Sequence, residues 1–161
     1  LKIIPEGGEP WLCTVDGMMN GGYYRGIHST PDPNKMCVVM DGNGYFFSVI
    51  DPKNCEEVKC VPIIDAREDL SHELLIFVDF CVVCAYDSRG LKWRTRRLAL
   101  DGVIIKEITE THIKVECDNE GMGDGKKIVA VDLETGEDEG GIGELGIEKP
   151  SYWSRSKGAG V

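Results

Sequence analysis

The sequence predicts an all-β protein: an antiparallel meander of repeated β-hairpins, forming either propeller-like blades or a β-sandwich or open barrel. Three observations carry that expectation. Apolar runs closed by an acid recur at residues 36–41, 74–79 and 112–118, and their last residues, Asp41, Asp79 and Asp118, stand 38 and 39 residues apart. A second run follows each, at residues 45–51, 81–87 and 128–132, with Asp51, Asp87 and Asp132 spaced by 36 and 45 residues. Turn-forming residues separate or close the runs, and a repeat of about 40 residues is what stacked hairpin units produce.

Along the chain, residues 11–16 (Trp11 to Asp16) read as a strand, and residues 17–26 are rich in Gly and aromatic side chains. Pro31-Asp32-Pro33-Asn34 reads as a loop, because Pro fixes φ and removes a donor while Asp and Asn bond their own backbone. Asp41-Gly42-Asn43-Gly44 is a hairpin signal, since these residues tolerate positive φ. Asp51-Pro52-Lys53-Asn54 ends the first unit. Residues 62–75 have the one helical case in the chain: residues 65–73 read as one short helix of one or two turns, with strand entry at Ser71, Leu74 and Leu75 as the alternative. Asp87-Ser88-Arg89-Gly90 opens on Asp and closes on Gly, as type I turns do. Residues 91–98 then alternate, with Lys92, Arg94 and Arg96 on one face and Trp93, Thr95 and Arg97 on the other. Residues 103–108 form another strand. The third hairpin tip, residues 118–125, is longer, and Asp132-Leu133-Glu134-Thr135-Gly136 is again a turn closed by Gly. One all-β domain is expected over residues 1–136, with residues 137–161 a Gly- and Glu-rich tail or strap.

A chain of 161 residues needs no staples to bury a core. Twenty glycines and seven prolines suit many tight turns. No apolar run approaches the roughly 20 residues of a membrane span, so no membrane partner is expected. The net charge of −10 is uneven. Residues 132–148 hold seven acids and no Lys or Arg, which leaves −3 for the rest, whereas residues 89–97 hold five basic residues and no acid. An acidic chain repels nucleic acid at long range, so no nucleic-acid partner is expected. Seven cysteines show no regular framework. Cys55 and Cys60 could bridge, but reduced thiols in the cytoplasm are the expectation.

The stretch Ala85-Tyr86-Asp87-Ser88-Arg89-Gly90-Leu91-Lys92-Trp93 resembles blades of quinoprotein-type (PQQ-like) β-propellers, and residues 130–136 look like the same turn. The resemblance covers about three units between Met36 and Gly136. The third unit lacks the Trp, and the first lacks both Gly and Trp. No residue matches those that hold a quinone, so no cofactor is carried over. Closure needs at least about four blades of roughly 40 residues. That would consume the whole chain, so a sandwich or open barrel stands beside the propeller.

Candidate chemistry is sparse. Cys81-x-x-Cys84 lies in a strand, where residues three apart point to opposite faces, so two packed thiols are expected rather than a metal pair. Asp118, Glu120 and Asp124 lack the spacing of an EF-hand loop. His28, His72 and His112 have no partner at metal-ligand spacing. Gly140-Gly141-x-Gly143 lies among acids, which repel phosphate. The strand with Trp93, Lys92, Arg94, Arg96 and Arg97 is the candidate contact patch, for a protein or a small acidic ligand. A competing expectation is that the acidic stretch 132–148 lies across it. The expected function is a non-catalytic binding or protein-interaction module, with a hydrolase or lyase using carboxylates at strand ends as the alternative. Leu1 in place of Met and an incomplete set of units also fit one part of a larger assembly.

Overall fold

The computed structural model describes residues 1–17, 22–51, 53–120 and 125–142, and every strand below belongs to them. A small ribbon comes first: β1 (Lys2–Ile3) pairs antiparallel with β2 (Trp11–Leu12). Three four-stranded antiparallel sheets follow in chain order. The first contains β3 (Gly26–Ser29), β4 (Lys35–Met40), β5 (Asn43–Ser48) and β6 (Cys55–Glu57). The second contains β7 (Asp65–Asp69), β8 (Leu74–Val78), β9 (Val83–Asp87) and β10 (Gly90–Arg94). The third contains β11 (Val103–Ile108), β12 (His112–Asn119), β13 (Gly125–Asp132) and β14 (Asp138–Glu139). Within each sheet every strand pairs with its neighbour in sequence. The protein is all-β, a meander of hairpins and not a closed barrel.

The recurrent apolar runs are the two central strands of each sheet. Their turn chemistry behaves as read: Met40 pairs with Asn43 across Asp41 and Gly42, whose φ values of 45° and 84° make the two-residue turn that matches strand twist. The helix expected over residues 65–73 is not formed. Residues 65–69 are β7, paired with β8 from Asp65↔Val78 to Asp69↔Leu74, and residues 70–73 make its turn. Pairing with a fully buried strand outweighs the weak local helical preference of Asp65-Ala66-Arg67-Glu68-Asp69.

The sheets stack face to face. One face of the second sheet (Ile76, Val78, Val83, Ala85, Trp93) packs on Ile113, Val115, Val129 and Val131 of the third. Its other face (Leu75, Phe77, Cys84, Tyr86) packs on Cys37, Val39 and Phe46 of the first. The far face of the first sheet, with Val38 and Phe47, is covered by Ile3 of the ribbon and by Cys13 just beyond it. The far face of the third sheet is wet. Lys106 pairs with Glu116 at 3.1 Å and Lys114 with Glu107 at 2.8 Å, beside exposed Ile104 and Ile128.

Candidate functional site

The structure docks the candidate contact patch against the third sheet, but the strand expected over residues 91–98 ends at Arg94, so Arg96 and Arg97 lie in the segment beyond β10. A β-bulge between Leu91 and Trp93 breaks the alternation. Leu91 pairs with Tyr86, whose face meets the first sheet, while Trp93 pairs with Ala85, whose face meets the third. The Trp93 indole N–H donates to the Leu133 carbonyl at 2.8 Å. Lys92 pairs with Glu134, and Arg96 grips Asp138 with two bonds of 2.6 and 3.0 Å. Arg97 donates to the carbonyls of Ala99 (3.0 Å) and Leu100 (2.8 Å). Arg94 has the loosest contact, 3.8 Å from Asp79. Acids of the segment after Asp132 therefore lie across this basic run, and most of its cations are engaged within the chain. Within the stretch expected as a tail or strap, Asp138–Glu139 is β14, paired to β13. The expected tail from residue 143 onward lies outside the described residues, as does Asp124 of the hairpin tip.

The Asp138 side chain is buried, and the Arg96 guanidinium holds its carboxyl below the usual carboxylate range. Gly136 lies against the Trp93 ring: a Cβ there would come within 2.8 Å of it, at a φ of +73°.

Five of the six strand-closing aspartates bond their own turns. Asp51 accepts from the Lys53 N–H at 3.0 Å, Asp87 from Arg89 N–H at 2.7 Å and Asp118 from Glu120 N–H at 3.0 Å. Asp79 takes the Cys81 and Val82 N–H groups, both at 2.7 Å, and Asp132 those of Glu134 (2.9 Å) and Thr135 (2.8 Å). Asp41, inside its turn, is held by Arg25 at 2.6 Å. Among the described residues, no group of three or more His, Cys, Asp or Glu is placed to hold a metal ion.

The cysteines are free thiols. Cys84 is buried between the first and second sheets, whereas the partly buried Cys81 reaches the Leu100 carbonyl with its Sγ at 3.4 Å.

Two histidines join neighbouring sheets, and sequence reasoning missed both. His28 Nδ1 lies 3.2 Å from Glu68 Oε1 of the second sheet, and its Nε2 lies 3.1 Å from the Tyr24 hydroxyl. His72 Nδ1 lies 2.7 Å from Asp69, and its Nε2 reaches the Glu110 carbonyl beside the third sheet at 2.8 Å. Only the Asp69-x-x-His72 spacing could have signalled either contact.

A cleft of about 310 Å³ opens where the first and second sheets part. That volume lies at the lower end of the range for small-ligand sites. Its inner end is aromatic: Phe46 and Tyr86 rings are 4.9 Å apart, and Phe77 meets Tyr86 edge-on at 5.6 Å. Leu91 forms one wall and Lys35, Glu56 and Asp87 part of the rim. The Tyr86 hydroxyl accepts the Lys59 N–H at 2.7 Å. Burial pushes its phenol up to about 12, so it remains a hydrogen donor at neutral pH. This cleft escapes sequence reading because Phe46, Tyr86 and Leu91 come from different hairpins. Comparison of the chain with family models, curated proteins and solved structures finds no match.

Proposed function

We propose that this chain is a non-catalytic binding module whose stacked meanders act as a scaffold and whose partner seats in the cleft at Phe46, Tyr86 and Leu91. The observation that carries the reading is the fate of the strand-end aspartates. Paired-carboxylate catalysis needs two acids converging on one substrate with their pKa values driven apart. Here five of the six are spent on the backbone of separate turns, and Asp41 is spent on Arg25. The blade-like order of the three meanders supports the same reading by analogy of fold, which is a weaker warrant than the site. The basic segment from Lys92 to Arg97 is a poorer seat, because its cations already have partners in the chain.

The test uses tagged wild-type protein and Leu91→Lys, each incubated in source-cell extract. One discrete protein should be retained by wild type and lost with Leu91→Lys, and once purified it should rebind wild type in titration calorimetry with a single stoichiometry. Retention of nothing, or equal retention by both proteins, would count against the cleft as a seat. Turnover of a substrate that disappears on changing one strand-end Asp to Asn would overturn the non-catalytic reading.

A further inference from the structure

We infer that the cleft between the first and second sheets takes an extended peptide segment bearing lysine or arginine, with a peptide carbonyl on the Tyr86 hydroxyl and the cationic side chain laid along Leu91 toward Glu56. This rests on the binding-module reading and names its ligand.

The first support is an unspent donor. Tyr86 is 5% exposed, and its oxygen accepts the Lys59 N–H, but among the described residues no acceptor takes its own hydrogen. A buried hydroxyl hydrogen left without an acceptor is costly, and a ligand carbonyl in the cleft would relieve that cost. A second support is Leu91. Its pairing with Tyr86 turns it toward the first sheet, yet it stays 45% exposed. An aliphatic stem would cover it, and lysine and arginine carry such stems beneath their charges.

Charge supplies the third support. Asp32, Glu56 and Glu57 line the cleft against Lys35 and Lys59, while Asp87 beside them is already paired with Arg89 at 2.7 Å. Lys35 leans on Glu56 at only 3.7 Å, a contact that an incoming cation can replace. The chain's net charge of −10 draws cations toward it from a distance. The fourth support is the sheet edge beside the cleft. Strand β6 is exposed along its whole length. The bonds from Ser48 N–H to Asn54 O and from Val58 N–H to Gly44 O set the ladder register. In that register Cys55 and Glu57 turn their backbone groups outward, where an extended chain can pair. A peptide brings the carbonyl, the stem, the cation and the strand edge together. A small amine lacks the carbonyl and the edge, and an acidic peptide would meet the carboxylates.

The experiment measures fluorescence anisotropy of a labelled, end-blocked hexapeptide alternating leucine and lysine, with its leucine–glutamate counterpart as control, against the whole chain. The lysine peptide should bind, weaken with added salt, and lose about tenfold in affinity with Tyr86→Phe, Leu91→Lys or Glu56→Lys, while the glutamate peptide stays unbound. Far-ultraviolet circular dichroism and melting temperature identify any variant that has lost its fold, and exposed Leu91 and Glu56 carry the test if Tyr86→Phe does so. Equal binding of both peptides, stronger binding of the glutamate peptide, no binding of either, or lysine-peptide binding indifferent to the variants would each overturn the assignment. If wild type still captures a discrete partner that Leu91→Lys loses, the ligand class fails and the module reading stands. If no partner is captured either, both fail.

Discussion

Arg96 clamps Asp138 across 42 residues of sequence with two bonds, of 2.6 and 3.0 Å, so the segment leaving β10 is tied to β14 at the edge of the third sheet. Lys92 meets Glu134 at the same separation of 42 residues. The two pairs flank the indole-to-carbonyl bond from Trp93 to Leu133. What reads in sequence as a basic run and a distant acidic run is therefore one seam.

Breaking that seam should cost stability in a pH-dependent way. Asp138→Asn is expected to lower unfolding free energy at neutral pH by about 1–2 kcal/mol, since the pair is charge-assisted but Arg96 is half exposed. Because the Asp138 carboxyl lies below its ordinary value in the fold, its contribution is present above the unfolded carboxylate value of about 3.9 and lost as pH falls through the depressed one. Urea titrations of both proteins should converge toward acid. A constant gap down to the acid limit would show that the carboxylate charge is not what matters.

Gly136→Ala should be among the most damaging single changes in the protein. A methyl would come within 2.8 Å of the Trp93 ring, at a φ of +73° that L-residues resist. Strain and overpacking together should remove about 2–4 kcal/mol. Urea unfolding monitored by tryptophan fluorescence reads both the loss and any exposure of the indole. A midpoint equal to wild type would show that the turn at residues 132–136 shifts freely.

His72 offers a pH response of opposite sign. Its bond to Asp69, then its bond to the Glu110 carbonyl, raise its pKa above the ordinary histidine value. The stabilisation is complete below about 6.5 and fades as pH rises through the raised value. His72→Ala should therefore flatten stability against pH from the ordinary histidine value of about 6.5 up to the raised one. In proton magnetic resonance, the His72 ring should titrate above a free histidine. Titration at or below the free value would sink this.

Thiol labelling should sort the cysteines by burial. Cys55 is exposed and should react first with an aromatic disulfide reagent in the native protein. Burial pushes Cys37 up to about 12 and Cys117 up to about 11, and contact with Cys84 followed by burial raises Cys60. These three should label only on unfolding. Fast native labelling of Cys37 or Cys117 would show that the sheets part readily.

Central strands were legible and edges were not, for a physical reason. Leu74–Val78 is buried along its whole length, so its sequence is a continuous apolar run, and residues 37–39 of β4 repeat that signal, whereas β12 and β13 alternate buried and wet positions because one face of the third sheet meets water. Edge strands pair on one side and stay wet on the other. Asp65-Ala66-Arg67-Glu68-Asp69 and Cys55-Glu56-Glu57 therefore look like a helix or a loop until a neighbour recruits them. The basic segment and its acidic counterpart were visible as charge runs. Their residue-by-residue matching depended on the bulge before Trp93, which no composition reveals. The cleft was invisible because Tyr86 and Phe46 become neighbours only once two sheets pack.

The second sheet carries apolar side chains on both faces, one set against each flanking sheet. Neither neighbour can peel away without wetting a layer that has no polar alternative. The meanders are thus expected to melt in a single cooperative step, unlike linear repeat arrays that can fray unit by unit from an end. Amide hydrogens of Ile76, Phe77 and Cys84 should then exchange only through global opening, marking the middle layer as the last to let water in.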